Sequence, residues 1–77
     1  MKNILVIGST GQIGSELTME LRKRYHGNVV AGYISGAEPK GILAESGPSA
    51  LVDITNRQQI ADTVSRYQID TIYNLAA

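Results

Sequence analysis

The chain has no cysteine, a single histidine and no excess of either charge. Without cysteine there is neither a disulfide scaffold nor a thiolate metal site. His26 stands beside Gly27 at the end of a helical pattern, a surface position, and no grouping of His, Asp and Glu has the spacing of a metal site. Seven basic residues balance seven acidic ones, so no net charge points to nucleic acid or to an anionic membrane. The N-terminal apolar run, Ile4 to Ile7, is too short for a signal-peptide core or a membrane span, and a cytoplasmic protein is the expectation. Repeats and low-complexity segments are also lacking. An apolar fraction of 43% is that of a globular chain. Its 77 residues suffice for one small domain at most. A chain of that size buries only about 60 per cent of its unfolded surface.

What the sequence does have is Ile4-Leu5-Val6-Ile7-Gly8-Ser9-Thr10-Gly11-Gln12-Ile13-Gly14. It reads as a buried parallel strand, a glycine turn and the first turn of a helix. Amides at a helix N-terminus lack intrahelical acceptors and lie at the positive end of the helix dipole, so the geometry suits a phosphate. Glycines at Gly8, Gly11 and Gly14 leave room for a pyrophosphate to approach the backbone. The spacing is G-x-x-G-x-x-G rather than the commoner G-x-G-x-x-G. The other reading is an ordinary strand–turn–helix whose glycines serve tight packing.

Residues 3–7 read as the first strand and 12–25 as a helix, with Ile13, Leu17, Leu21 and Tyr25 as its apolar stripe. Glu20 and Arg24 form an i,i+4 pair. The basic run Arg22-Lys23-Arg24 reads as a solvated helix end suited to the dipole, and Gly27 stops the helix. Residues 28–33 read as a second strand. Residues 34–48 read as a long loop in which Ile42 to Glu45 could form one helical turn, and 49–53 as a third strand. Thr55 and Gln58 have the spacing of a capping box for a helix over 56–67, with Ile60, Val64 and Tyr67 facing inward. Residues 70–75 read as a fourth strand. Tyr25, Tyr67 and Tyr73 are expected to pack with their hydroxyls exposed.

Alternating strands and helices predict an α/β fold. The arrangement is a Rossmann-like half-domain, a four-stranded parallel sheet in the order 3-2-1-4 with two main helices. Ligands of such sheets bind at the C-terminal strand ends near the switch point, here between strands one and four. Strand one ends in the glycine turn. Strand two ends at Tyr33, nineteen residues after Gly14, where a dinucleotide fold usually places an acid for the adenosine ribose. Tyr33 could stack on adenine or bond a ribose hydroxyl, or could simply cover the sheet edge. Strand three ends at Asp53-Ile54. Asp53 could accept from the adenine amino group while Ile54 packs on the ring, or Asp53 could turn the chain into the next helix. Strand four ends at Leu75-Ala76-Ala77, small enough for a ligand to lie close to the backbone.

Gly8-Ser9-Thr10-Gly11-Gln12-Ile13-Gly14, Asp53-Ile54 and Asn74-Leu75-Ala76-Ala77 together resemble the extended short-chain dehydrogenase/reductases, a family that includes nucleotide-sugar epimerases and dehydratases. Within it, the runs Ile7 to Leu17, Leu21 to Tyr25, Glu45 to Pro48 and Asp53 to Asn56 are most similar to the short-chain type of L-threonine 3-dehydrogenase. The resemblance spans all 77 residues and about the first quarter of a family member. It implies NAD as cofactor and oxidation of the β-hydroxyl of L-threonine to give 2-amino-3-ketobutyrate and NADH. It also implies that Gly8, Gly11, Gln12, Ile13 and Gly14 cradle the pyrophosphate. Asp53 and Ile54 would meet the adenine, and Leu75, Ala76 and Ala77 would lie beside the ribose and nicotinamide.

Two departures stand out. The family has Asp-Ile where this chain has Tyr33-Ile34, so the acid that grips the ribose and rejects a 2′-phosphate is missing. Family members catalyse through Tyr-x-x-x-Lys. Here the residues four beyond Tyr25, Tyr33, Tyr67 and Tyr73 are Val29, Ala37, Thr71 and Ala77. No catalytic residue is therefore assigned. The expectation is an N-terminal cofactor-binding part of a Rossmann domain, without its second half or a substrate domain, and inactive alone. The alternatives are a part of a nucleotide-sugar epimerase or dehydratase, or a self-associating α/β module that binds no nucleotide. An open strand edge and incompletely covered apolar faces predict a homo-oligomer.

Overall fold

A computed structural model describes residues 3–25 and 28–76. The expectations placed on His26, Gly27 and Ala77 lie outside the described residues. The elements in chain order are β1 (Ile4–Ile7), α1 (Gln12–Arg24), β2 (Val29–Tyr33), α2 (Ile42–Glu45), β3 (Ser49–Leu51), α3 (Arg57–Tyr67) and β4 (Thr71–Asn74). The sheet is parallel throughout and ordered β3-β2-β1-β4, as expected. Ile4 to Ile7 pair with Val29 to Gly32 on one side and with Thr71 to Asn74 on the other. Strands β2 and β4 thus flank the turn that follows Ile7.

Because side chains alternate along a strand, β1 feeds two cores. Ile4 and Val6 face α1, packing with Leu21 and Val29 and flanked by Leu17, Tyr25 and Tyr73. Leu5 and Ile7 face α3, packing with Val30 and Val52 and flanked by Ile60, Tyr67 and Ile69. All four β1 side chains are buried, which only a central strand covered on both faces permits. At the strands' N-terminal ends, Asn3 joins three segments: its Nδ2 donates to Gln68 O, its Oδ1 accepts from Asn28 N–H and its own N–H donates to Asp70 Oδ2. The outer edge of β4 pairs with no strand among the described residues, and Ile72 is exposed there.

Three expectations need correction. Ile13 is not part of the inward stripe of α1, since it is 73% exposed. Residues spaced four apart drift 40° per step around a 3.6-residue helix, so a row running from 13 to 25 cannot stay on one face. Leu17, Leu21 and Tyr25 do pack on the core, and Gly14 and Thr18 rather than Ile13 complete the inward face, with Thr18 Oγ1 donating to Gly14 O at 2.7 Å.

The capping box is displaced by one residue. Asn56, not Thr55, caps α3, its Oδ1 accepting from Gln59 N–H at 3.1 Å. Thr55 is drawn away because its N–H and hydroxyl both donate to Asp53 Oδ1. Gln58 instead donates to Asp62.

Arg22 is not part of a solvated helix end. Its guanidinium donates to Val29 O, Leu43 O, Ser46 Oγ and Pro48 O. It fastens α1 to β2, α2 and the entry to β3, and its partial burial lowers its pKa without threatening its charge. Glu20 and Arg24 do pair, at 3.2 Å, but on the open surface, where such a pair contributes little.

Candidate functional site

Strand β1 delivers the chain into the turn Gly8–Gly11 at the C-terminal edge of the sheet. Gly8 has φ +82°, and a Cβ there would lie 3.0 Å from Ala76 N and 3.1 Å from the Leu75 carbonyl carbon. Both the backbone conformation and the close approach of the segment leaving β4 require glycine. Ser9 is fully buried and anchors the turn across the sheet, its N–H and Oγ both donating to Gly32 O at 3.1 and 2.8 Å. Gly14 is a packing glycine: a Cβ on it would fall 2.1 Å from Gly8 O. That absence of a side chain lets the first turn of α1 rest directly on the glycine turn.

Gly11 differs from both. Its φ of −71° and ψ of 168° suit any residue, and a Cβ would meet only Gly8 O, at an ordinary 3.6 Å. Nothing in the protein itself demands glycine here. Gly11 lines two adjoining clefts, so the space a side chain would fill is cleft rather than core. Gly11→Ala is expected to fold, with stability within about 1 kcal/mol of the wild type, because restriction of the unfolded chain is offset by alanine being a poorer N-cap than glycine. Urea denaturation measures this directly.

Gly11 is also the N-cap of α1 and carries no side chain to satisfy the helix end. The first bond of the helix runs from Ser15 N–H to Gly11 O, at 2.9 Å, so the amides of Gln12, Ile13 and Gly14 remain directed out of the helix end. At α3, by contrast, Asn56 occupies that position. One cleft, about 390 Å³, is lined by Gly8, Gly11, Gln12, Ile13, Gly14 and Leu75.

The second, about 430 Å³, continues from the glycine turn across the ends of the sheet, where Tyr33, Ile34, Asp53, Ile54, Leu75 and Ala76 form its walls. The structure therefore brings together every sequence-derived site residue that lies among the described ones. Sequence reasoning missed Ile34, Ala37 and Thr55, which also line this cleft. The turn signals Gly36 and Pro39 place residues 34 and 37 in a loop but do not say that the loop folds back over the sheet ends. A further groove of about 340 Å³ lies between α3 and β3 and shares Tyr33 with the second cleft.

The clefts are apolar-walled. Ile13, Ile34, Ile54 and Leu75 are 73%, 52%, 37% and 41% exposed, an uncommon density of bare aliphatic side chains for one edge of a small domain. Of the two readings of Asp53, the turn is observed: its Oδ1 accepts twice from Thr55, and its own N–H donates to Gln59 Oε1 at 2.9 Å. The Thr55 hydroxyl, and then the Thr55 amide, hold its carboxyl below the usual aspartate range. Both bonds fall on Oδ1, so the turn role leaves Oδ2 for a ligand. No lining residue of either cleft is Lys, Arg or His. Among the described residues no group of His, Cys, Asp and Glu could hold a metal ion, and no helix is long and apolar enough to cross a membrane.

A strand, an uncapped glycine turn and an apolar cleft across the switch point are features that dinucleotide sites use. The NAD dependent epimerase/dehydratase family matches residues 4–77. An uncharacterized epimerase/dehydratase of Staphylococcus epidermidis is 38% identical over the full chain, which covers 24% of that protein. The L-threonine dehydrogenase of Clostridium difficile superposes with a TM-score of 0.85 at 40% identity, over 100% of this chain and 24% of its own. The GalE-like L-threonine dehydrogenase of Cupriavidus necator, in its holo form, gives 0.83 at 32% identity, over 97% of this chain and 23% of its own. The chain thus spans about a quarter of the length of the relatives it matches. It belongs to the NAD dependent epimerase/dehydratase family.

Proposed function

We propose that the paired clefts hold the ADP portion of NAD. The observation that supports this most strongly is Gly11, a glycine the protein does not need for itself, at a helix end the protein leaves uncapped. A pyrophosphate over Gly8 and Gly11 would accept from the amides of Gln12, Ile13 and Gly14 and gain the dipole of α1. Ile34 and Ile54 supply apolar walls for the adenine, and Asp53 Oδ2 would accept from its amino group. Tyr33 would contact the ribose. Leu75 and Ala76, continuing to Ala77, would border the nicotinamide side. When bound, NAD supplies the hydride acceptor, while these residues bind and orient it.

The whole protein, in this reading, is an NAD-dependent dehydrogenase of the L-threonine 3-dehydrogenase type. Similarity at 40% identity to the Clostridium difficile enzyme supports that assignment. The second reading, a nucleotide-sugar epimerase or dehydratase, is favoured by the description of the Staphylococcus epidermidis relative. Without Tyr-x-x-x-Lys, the 77 residues by themselves bind cofactor and do not turn over.

Thermal unfolding followed at rising ADP and NAD tests the binding claim. Ligand that binds only the folded form adds RT ln(1 + [L]/Kd), about 2.7 kcal/mol at a hundredfold excess over Kd. The expected result is a midpoint that climbs with the logarithm of ADP concentration. A midpoint unmoved at millimolar ADP would overturn the proposal.

A further inference from the structure

We infer that Thr55 is a positioning residue: its two donors to one oxygen of Asp53 fix the carboxylate so that the other oxygen is presented to a base carrying an exocyclic amine. The inference rests on the reading of the cleft as an adenosine site. Asp53 and Thr55 both line that cleft, and among the described residues lining it Asp53 alone is charged. The backbone beneath the carboxylate is already fixed. Asp53 N–H donates to Gln59 Oε1 at 2.9 Å, and Asp53 O accepts from Asn56 N–H at 2.9 Å, which ties the residue to the start of α3. The side-chain torsions are the freedom that remains, and Thr55 removes it. The Thr55 amide reaches Asp53 Oδ1 at 2.9 Å, and the Thr55 hydroxyl reaches the same oxygen at 2.7 Å.

Two bonds to one oxygen have a chemical consequence. Oδ1 is filled by Thr55, so a ligand meets Oδ2, and an ionised carboxylate accepts without donating. The Thr55 hydroxyl first, and its amide second, hold the carboxyl below the usual aspartate range, so at neutral pH it stays an acceptor. The matching group on a purine is the 6-amino group. The two bonds differ in what they need. The amide bond belongs to the turn and survives any side chain there except proline. The hydroxyl bond needs threonine or serine. Without it the carboxylate regains rotamer freedom that binding must then remove. Thr55 therefore acts on affinity through Asp53, by setting its orientation before the ligand arrives.

The test compares ADP with purine riboside diphosphate, in which hydrogen replaces the 6-amino group, by calorimetric titration of the wild-type chain, Thr55→Val and Thr55→Ser. Valine keeps the shape and the amide bond but not the hydroxyl. Thr55 is exposed, so both variants are expected to fold. The wild type is expected to prefer ADP by about tenfold, the scale of one hydrogen bond to a charged group. In Thr55→Val that preference should fall to about threefold or less through weaker ADP binding, with affinity for the analogue unchanged. Thr55→Ser should keep about fivefold or more, since it restores the hydroxyl. A merely structural role would weaken both nucleotides together and leave their ratio where it was. An unchanged ratio in Thr55→Val, with ADP still binding, overturns the role of Thr55 alone. Equal affinities in the wild type overturn Asp53 as the acceptor for the amine, and this inference with it, while leaving the site. Failure of ADP to bind the wild type overturns the site assignment itself.

Discussion

Gly14→Ala is expected to be the most damaging single change in the chain, with a loss of about 4 kcal/mol. The added Cβ would lie 2.1 Å from Gly8 O, 2.9 Å from Gly8 C and 3.0 Å from Ser9 Cα. These are backbone atoms, and no rotamer change relieves them. The turn that contains them is pinned twice to Gly32 O through Ser9, and the helix is pinned by Leu21 in the core. Either α1 lifts off the sheet at its N-terminus or the glycine turn is forced open, and both routes also dismantle the phosphate cradle. A domain of this size has roughly 4–12 kcal/mol in total. Urea denaturation should therefore show between about a third and all of the wild-type stability lost, with helical circular dichroism disappearing at a correspondingly lower urea concentration. A stable Gly14→Ala would mean that α1 does not rest on Gly8.

Arg22→Ala is expected to cost about 3 kcal/mol, for a different reason. The guanidinium fork serves four acceptors on segments distant in sequence: Val29 O, Leu43 O, Ser46 Oγ and Pro48 O, at 2.8–3.1 Å. A charged donor to a half-buried carbonyl is stronger than a neutral one, and its removal leaves those carbonyls short of partners. Pro48 O also accepts from Ala31 N–H, so the loss reaches the β2–β3 ladder. Lysine in its place keeps the charge but not the planar fork, and should recover less than half of the loss. Gly47 is the seat of this group: a Cβ there would fall 2.5 Å from Arg22 Nε. Gly47→Ala should thus destabilise the wild type yet be nearly neutral in an Arg22→Ala background. Full additivity in that double-mutant cycle would contradict the contact.

These two positions also mark what the sequence makes legible. The parallel sheet, its strand order and the helix bounds follow from the period of the apolar residues and from the glycine turn, features that are local and repeat along the chain. The cleft residues were legible for the same reason, since Tyr33 ends β2 and Asp53-Ile54 and Leu75-Ala76 follow just past the ends of β3 and β4, each of those two strands stopping one or two residues earlier than its apolar pattern predicts. What escaped is the competition between nearby polar groups. Thr55 has the sequence of an N-cap but is claimed by Asp53, and Asn56 takes the cap. Arg22 looks like one of three basic residues at a helix end, and only the distant approach of Leu43, Ser46 and Pro48 distinguishes it from Lys23 and Arg24. The different duties of the three glycines were equally hidden. The motif treats them alike, whereas the structure makes Gly8 a turn, Gly14 a packing contact and Gly11 an opening.

That last distinction provides the most direct test of the site. ADP binding is measured by calorimetry for the wild-type chain and for Gly11→Ala, with the stability of each determined in parallel. The expected result is a folded variant within about 1 kcal/mol of the wild type whose ADP affinity is lower by about tenfold or more, because its new methyl group occupies the phosphate's space. Equal ADP affinity in a folded Gly11→Ala would contradict the assignment of the glycine turn as the phosphate cradle.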